Sequence, residues 1–379
     1  MKKALCTLLV FCLMLPLAGC WNYRGLNEMS IVAGMAIDSV DGQYLITFEV
    51  MDMQRSTKTE GPSSELVFSK GPSIFEAIRN AKRQLASKPY FGNMQIVIIS
   101  SKIAEENGIN ALIDFLLRDA EMRETMEMVV SREETARELL MNIKKDTGAV
   151  SYDMTRIIRE DSKVTGSVFS AQIYRIYNKL KTPGVDAALP VFYLAEEPGT
   201  GKKHIETYGS AVFRKDKLAG FLSAEETKML LMSNDILNGG LVTVYMPSIT
   251  PHNITIELKN VESDMNVEAT GEKINVKLKI NIQAYLGEFP HSSSKGDLAV
   301  IDPVTAAAEK MLQNQIQDVI KKLQTQYQSD VLGMGSIIYR KKLPLWRQIS
   351  GQWDEMFRTV PVEVTVKMHI TNTAMMRES

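Results

Sequence analysis

The spacing of apolar residues along the first half of the chain predicts short strands that alternate with amphipathic helices. Two extended runs, 26–38 and 43–51, flank Asp41-Gly42, a dipeptide typical of hairpin turns. The run Q-I-V-I-I-S at 95–100 contains four consecutive apolar residues, which is typical of a short strand buried on both faces. The remaining predictions, in chain order, are helices at 73–88 and 109–118, a strand at 126–131, helices at 133–143, 152–161 and 168–180, and a strand at 189–194.

The second half of the chain has a different pattern, in which alternating runs predict strands with one solvated face. In residues 273–285 apolar and polar positions alternate strictly. A long helix is predicted from Asp302-Pro303 to about residue 327. A second helix carries an aromatic stripe, which we interpret as its buried face rather than as a ligand platform or a membrane-facing ridge: Trp346, Ile349, Trp353 and Phe357. The other predicted elements are strands at 207–213, 218–222, 241–247, 253–260 and 362–370, and a capped helix from Ser223.

Charge, proline and glycine occur together at residues 196–203, which makes this stretch the best candidate for a domain boundary. We therefore predict a linker at 197–206, preceded by an N-terminal region at 20–196 with two α/β subdomains. A C-terminal α+β domain at 207–379 follows. The predicted fold class is mixed α/β (α+β), with a C-terminal antiparallel sheet and two long helices.

The N-terminus has the pattern of an exported lipoprotein. Lys2 and Lys3 precede an uncharged run at 4–17, which is too short to span a bilayer and has the length of a signal-peptide core. The run ends in Leu17-Ala18-Gly19-Cys20, where small residues suit cleavage and the cysteine suits thioether lipidation. We predict a lipoprotein signal peptide at 1–19 and an S-diacylglycerol group on Cys20, with or without N-acylation. The alternative is an ordinary signal peptide with an incidental cysteine.

Cysteine usage agrees with export. Of the three cysteines, Cys6 and Cys12 lie in the predicted leader, so Cys20 is the single cysteine expected in the mature chain. That leaves no intrachain disulfide, no cysteine nucleophile and no cysteine-rich metal site. No later run reaches the roughly 18 apolar residues that a membrane span needs, so we expect a protein anchored to the membrane rather than one that spans it.

Composition and charge narrow the function classes. The chain has 379 residues, of which 45% are hydrophobic, and this excludes a disordered protein. Lys and Arg number 44 against 45 Asp and Glu, so there is no positive excess to neutralise phosphates. Nucleic acid is therefore not expected as a partner.

The sequence contains no recognisable catalytic or metal-binding motif. The four histidines are far apart and outside any H-E-x-x-H motif: His204, His252, His291 and His369. The stretch G-T-G-K-K at 199–203 lacks the first glycine and the Ser/Thr of a phosphate-binding loop. We therefore predict a non-enzymatic protein with no catalytic residue, no metal and no cofactor.

Four motifs occur in order along the predicted mature chain. The first is C-W-N-Y-R-G-L-N-E at 20–28, which runs into a strand ending in G-M-A-I-D at 34–38. The second is P-Y-F-G-N-M-Q at 89–95. The third is G-S-A-V-F-R-K-D-K-L at 209–218, followed by L-S-A-E-E at 222–226. The fourth is Trp346 with W-D-E-M-F at 353–357. Together they resemble the Ger(x)C family, the C-subunit lipoproteins of bacterial spore germinant receptors.

The resemblance implies a non-enzymatic receptor subunit of three mixed α/β domains that acts in nutrient-triggered spore germination. It also implies a lipid-anchored location on the outer face of the spore inner membrane. The implied partners are two integral membrane subunits, one of which resembles an amino-acid transporter. Gly25 stands where the family usually has Glu, and Asn93 where His is common, so the local contacts at these two positions stay open.

Two other function classes stay open. A solute-binding lipoprotein of an ABC transporter would have two doubly wound lobes around a cleft. An anchored cell-envelope hydrolase would have to use dispersed carboxylates, because the chain has no nucleophile motif or histidine pair. The solvated alternating strands of the second half favour the receptor subunit over the solute-binding protein.

Overall fold

The computed structural model describes residues 29–52, 63–85, 87–142, 148–249, 252–270, 273–288 and 297–373. These residues form two β-sheets with helices packed against them, which confirms the predicted mixed α/β class. The predicted leader at 1–19 and the predicted lipidation site Cys20 lie outside the described residues.

The strands of the described part are β1 (Met29–Val40), β2 (Gln43–Asp52), β3 (Ser63–Gly71), β4 (Lys88–Tyr90), β5 (Ile96–Ser100), β6 (Glu127–Ser131), β7 (Ala188–Glu196), β8 (Lys203–Arg214), β9 (Lys217–Ser223), β10 (Gly240–Tyr245), β11 (Asn253–Thr270), β12 (Lys273–Glu288) and β13 (Val362–Thr373). Its α-helices are α1 (Ile74–Asn80), α2 (Ser101–Glu106), α3 (Asn110–Arg118), α4 (Arg137–Met141), α5 (Val150–Val164), α6 (Ile173–Lys181), α7 (Ala224–Ser233), α8 (Asp297–Lys322), α9 (Met334–Lys341), α10 (Leu343–Ile349) and α11 (Trp353–Phe357).

The larger sheet is mixed, with strand order β3-β2-β1-β5-β6-β7-β8-β9 and with β4 beside β1. Its centre, β1-β5-β6-β7, is parallel, and antiparallel hairpins extend it on both sides. The β1–β2 hairpin turns at Asp41 and Gly42, whose φ angles are 53° and 73°, as a two-residue turn of mirror-image type requires. The predicted Asp-Gly hairpin is confirmed.

Helices cover both faces of the parallel centre, which explains the continuous apolar run of β5. Val97 and Ile99 belong to one hydrophobic cluster, and Ile96 and Ile98 belong to another. Successive side chains of a strand point to opposite faces, so each face of β5 packs into its own cluster. The cluster that contains Val97 and Ile99 also extends to the smaller sheet.

The smaller sheet has the order β10-β11-β12-β13 and one solvated face. Along β12, buried and exposed or half-buried residues alternate, as the sequence predicts. The predicted sheet is fully antiparallel, but β13 pairs with β12 in parallel. The chain returns from β12 to β13 through several helices, and such a crossover brings two strands together in the same direction.

The first predicted long helix, α8, begins at Asp297 rather than at Asp302, so Pro303 lies inside it. The second, which carries the aromatic stripe, is divided into α10 and α11. Pro344 lies in the first turn of α10, where its missing N–H is tolerated, and a short 3-10 turn, Ser350–Gln352, separates α10 from α11. The aromatic stripe on these helices is buried, as predicted: Trp346, Ile349, Trp353 and Phe357.

The predicted linker falls within the larger sheet. Residues 197–202 form the turn between β7 and β8, and the Glu197 N–H donates to the Lys202 carbonyl at 2.8 Å. The two strands pair in antiparallel register from Glu196 and Lys203 onward. Hydrogen bonding of the sheet therefore continues across 197–206, and the division into 20–196 and 207–379 stays a prediction.

Candidate functional site

A cleft of about 510 Å³ lies where the two halves of the sequence meet, and we call it the junction cleft. The first half contributes the loop after α6, with Gly184 and Asp186, and the second half contributes Asp330 and the aromatic side chains of α10 and α11. The volume is in the range of small-molecule sites, which is about 300–1,000 Å³.

Asp330 is a buried carboxylate that lines this cleft and joins three backbone segments. It accepts hydrogen bonds from the backbone N–H groups of Met334 at 3.0 Å and Gly335 at 2.8 Å, and from the indole N–H of Trp353 at 3.1 Å. Met334 and Gly335 begin α9, and Gly333 has no side chain to cap that helix, so Asp330 takes this role. Burial raises the pKa of Asp330 to about 7, against the effect of the three donors.

Asp186 links this arrangement to the larger sheet. It accepts from the backbone N–H of Asp330 at 2.8 Å and from that of Lys215, in the β8–β9 turn, also at 2.8 Å. Its own N–H donates to the Asp330 carbonyl at 3.0 Å. Burial also raises the pKa of Asp186. The two aspartates therefore hold the loop after α6, the β8–β9 turn and the start of α9 in one position.

Two glycines allow the chain to approach itself closely beside the tryptophans. Gly184 has a φ of 70°, and a Cβ there would lie 2.5 Å from the carbonyl carbon of Gly335 and 2.7 Å from Cη2 of Trp346. A Cβ on Gly335 would lie 2.5 Å from Nε1 of Trp353. The Trp346 and Trp353 rings are 6.0 Å apart, centre to centre. The two tryptophans of the fourth motif therefore pack against each other.

The polar groups of the junction cleft are mostly engaged in holding the fold. Asp186 and Asp330 each accept several N–H groups, and the exposed Asp354 carboxylate lies 3.6 Å from Nζ of Lys215. Among the residues that the structure describes, no group of three or more His, Cys, Asp or Glu side chains is arranged to hold a metal ion. The cleft can act chemically as a binding surface with an aromatic wall.

Three further buried carboxylates project from strands and accept backbone N–H groups. Apolar patterning predicts no role for them, although Asp38 ends the first family motif. Asp38 on β1 accepts from the Ala136 and Arg137 N–H groups at the start of α4. Glu49 on β2 accepts from Val150 and Ser151 at the start of α5. The third, Glu127 on β6, accepts from Ala171 just before α6. Burial raises the pKa of Asp38 and of Glu127. The sequence signal that points to such a buried carboxylate is a single acidic residue within an apolar run.

The sequence predicts that the histidines lie far apart, and the structure describes three of the four. His204 is exposed on β8, with Nε2 3.7 Å from a Glu206 carboxylate oxygen, and His369 lies on β13. His252 precedes β11, and His291 lies outside the described residues. The described histidines therefore lie on separate strands or loops.

Two family models match the chain in consecutive order. The first, "Spore germination protein N-terminal domain", matches residues 22–194. The second, "Spore germination B3/ GerAC like, C-terminal", matches residues 208–374. The chain belongs to the Ger(x)C family. This is the family of spore germinant receptor C subunits, so the family resemblance seen in the four motifs is confirmed.

Individual members of the Ger(x)C family match almost end to end. Spore germination protein KC of Bacillus subtilis (strain 168) is 21% identical, over 99% of this chain and 97% of the relative. Spore germination protein B3 of the same organism is 23% identical over 98% of each chain. The crystal structure of the GerBC protein has a TM-score of 0.56 at 18% identity, covering 93% of this chain and all of the other. That structural likeness supports the fold.

Several Ger(x)C motif residues have structural roles in this fold. Asn93 donates to the Tyr152 hydroxyl at 2.7 Å, which ties the 89–95 motif to α5. Gly209, with a φ of 137°, lies against the Leu222 carbonyl, where a Cβ would come within 2.3 Å. Ser223 and Glu226 form a complete capping box at the start of α7. No helix among the described residues is both long and apolar enough to cross a membrane.

Proposed function

We propose that this chain is the lipid-anchored, non-enzymatic C subunit of a spore germinant receptor and that it acts in nutrient-triggered spore germination. Its anchor is the S-diacylglycerol group on Cys20, and it faces the outside of the spore inner membrane. Its partners are two integral membrane subunits, one of them transporter-like. The observation that carries the proposal is the ordered match of both germination domains, which begins at residue 22, two residues after Cys20.

The anchor gives a physical reason for the assembly. A diacylglycerol group supplies two acyl chains, which is the number that stable membrane anchoring takes. A tethered subunit is held near its membrane partners at a high effective concentration without additional contacts. The non-enzymatic role is supported by the buried carboxylates of the junction cleft, which are engaged with backbone N–H groups rather than facing a substrate.

The anchor is tested by fractionating cells that express Cys20→Ala. We expect this variant to leave the membrane fraction, because it cannot form the thioether. Cys12→Ala is the matched control, since Cys12 lies in the predicted leader and its loss should leave the protein in the membrane. Membrane retention of Cys20→Ala would contradict the proposed anchor.

The assembly is tested by affinity capture of the tagged chain from detergent-solubilised spore membranes, with the partners identified by mass spectrometry. Two integral membrane proteins, one transporter-like, are the expected result. Capture of an ABC permease and its ATPase would instead support the solute-binding lipoprotein. Capture of neither pair would contradict both assignments.

A further inference from the structure

A second cleft, of about 480 Å³, lies on the other side of the loop after α6, and we call it the lysine cleft. It lies between the ends of α6 and α7, β11 and the start of α9. Thr182 and Val185 line both this cleft and the junction cleft. The lysine cleft is therefore built by both halves of the sequence, like its neighbour.

Lys179 lines this cleft, and its side chain is half-buried. In the described part of the chain its ammonium group makes no hydrogen bond and no ion pair, and burial alone lowers the pKa of that group. Lys181, two residues further along α6, is different: its Nζ lies 3.4 Å from Oδ1 of Asn110 and 5.4 Å from the centre of the Tyr177 ring. A partly desolvated ammonium group without a counter-charge is unfavourable, so an anion at this position would stabilise it.

The other charged groups of the cleft wall leave a positive excess. Asp235 is the carboxylate that lines it, and it already accepts the Ser263 N–H at 2.9 Å. Arg340 also lines it, with Nε donating to the Ser336 carbonyl at 3.3 Å. Two cations thus face one anion. The wall also includes apolar side chains, among them Ile236 and Met265.

We propose that the lysine cleft binds a small organic carboxylate, whose anionic group pairs with Lys179 and whose apolar body packs against Ile236 and Met265. One excess positive charge matches one carboxylate, and the volume accommodates a small molecule. A charge-assisted hydrogen bond from the ammonium group would be shorter and stronger than a neutral one.

The proposal is tested by isothermal titration calorimetry on the full chain in detergent micelles, with butyrate as the probe. We expect butyrate to bind, and Lys179→Met to weaken it by about tenfold or more, which corresponds to one hydrogen bond to a charged group. Lys179→Arg keeps the positive charge and should retain binding within a few-fold. Lys181→Met is the matched control and should bind butyrate as the parent chain does.

Three results would overturn the proposal. One is the absence of butyrate binding at millimolar concentrations, and another is equal binding by the parent chain and Lys179→Met. The third is a preference for inorganic phosphate or for n-butylamine over butyrate, because either probe would indicate a different ligand class. Lys179→Arg is included because Lys179→Met could lose binding by misfolding rather than by loss of the charge. The test uses no membrane partner, so its failure leaves the receptor-subunit proposal intact.

Discussion

At the scale of single residues, Asp330 holds together segments that are far apart in the chain. It accepts three N–H groups from α9 and Trp353, and its own N–H donates to Asp186, 144 residues earlier. Sequence patterns do not reveal such a residue, because nothing local distinguishes it from a solvated aspartate in a loop. Burial of the Trp346 stripe was predicted, but the aspartates that position the tryptophans were not.

Removal of the Asp330 carboxylate should destabilise the protein strongly. Asp330→Ala leaves three buried donors without an acceptor, at about 1–3 kcal/mol each, so we expect a loss of about 3–5 kcal/mol in the free energy of unfolding. Asp354→Ala is the matched control: this exposed carboxylate lines the same cleft, and its loss should change stability by less than about 1 kcal/mol. Equal effects in urea denaturation would show that Asp330 has no special role.

Asp330 should also make stability depend on pH. Its pKa rises from the ordinary 3.8 to about 7 in the folded chain, so between these pH values the unfolded chain loses a proton that the folded chain keeps. Stability should therefore fall as pH rises from about 4 to about 7, by about 4 kcal/mol at most, and level off above.

The measurement is the free energy of unfolding at several pH values for the parent chain and for Asp330→Asn. The variant has a lower stability overall, since its amide N–H₂ opposes the backbone donors, but its pH dependence should be shallower. The pKa values of Asp38 and Glu127 are raised by burial far from position 330, so their effects largely cancel in the comparison. An unchanged slope would assign the pH dependence to those groups.

At the scale of secondary-structure elements, the sequence predicts best what is determined locally. The β1–β2 hairpin, the buried β5 and the Ser223 capping box depend on neighbouring residues, and all three are confirmed. The parallel pairing of β13 and the division of the second helix depend on distant contacts and a short 3-10 turn, and both differ from expectation. The spacing of apolar residues does not reveal the break between α10 and α11, because both helices bury the same face and the apolar pattern continues from one to the other.

The loop after α6 offers a test of packing between elements. Gly184→Ala should destabilise the protein by about 2 kcal/mol more than Gly199→Ala, because only the first would force a Cβ into Gly335 and Trp346. Both glycines have a positive φ, 70° and 83°, so the backbone strain of an alanine is similar at the two positions. Thermal unfolding of the two variants gives the difference, and equal melting temperatures would contradict the close approach.

At the scale of the whole molecule, the larger sheet joins the two regions that the family models match separately. The second region includes β9 and the part of β8 from residue 208 onward, and β8 pairs with β7, most of which lies in the first region. A fragment ending at residue 196 would expose the edge of β7 and lose the buried residues Val212 and Phe213. We expect fragments 20–196 and 207–379 not to fold separately.

The control is the complete chain cleaved at a protease site inserted in the 197–202 turn. The β7–β8 pairing is intact there, so we expect the two pieces to stay together in gel filtration and to unfold as one. Cooperative unfolding of the isolated 20–196 fragment would instead support the domain division predicted from sequence.

The parallel pairing of β12 and β13 also affects the order in which the parts of the chain fold. Val276 pairs with Val362, so the smaller sheet cannot be completed until the end of the chain is available. The β1–β2 hairpin, by contrast, closes across two residues. Contacts between distant segments form slowly, because a long loop must close first. The helix α8 packs against β13, where Glu309 accepts the Met368 N–H at 2.8 Å. If the chain is exported as proposed, the first hairpin forms early during translocation, and α8 finds this partner only after the last strand has crossed.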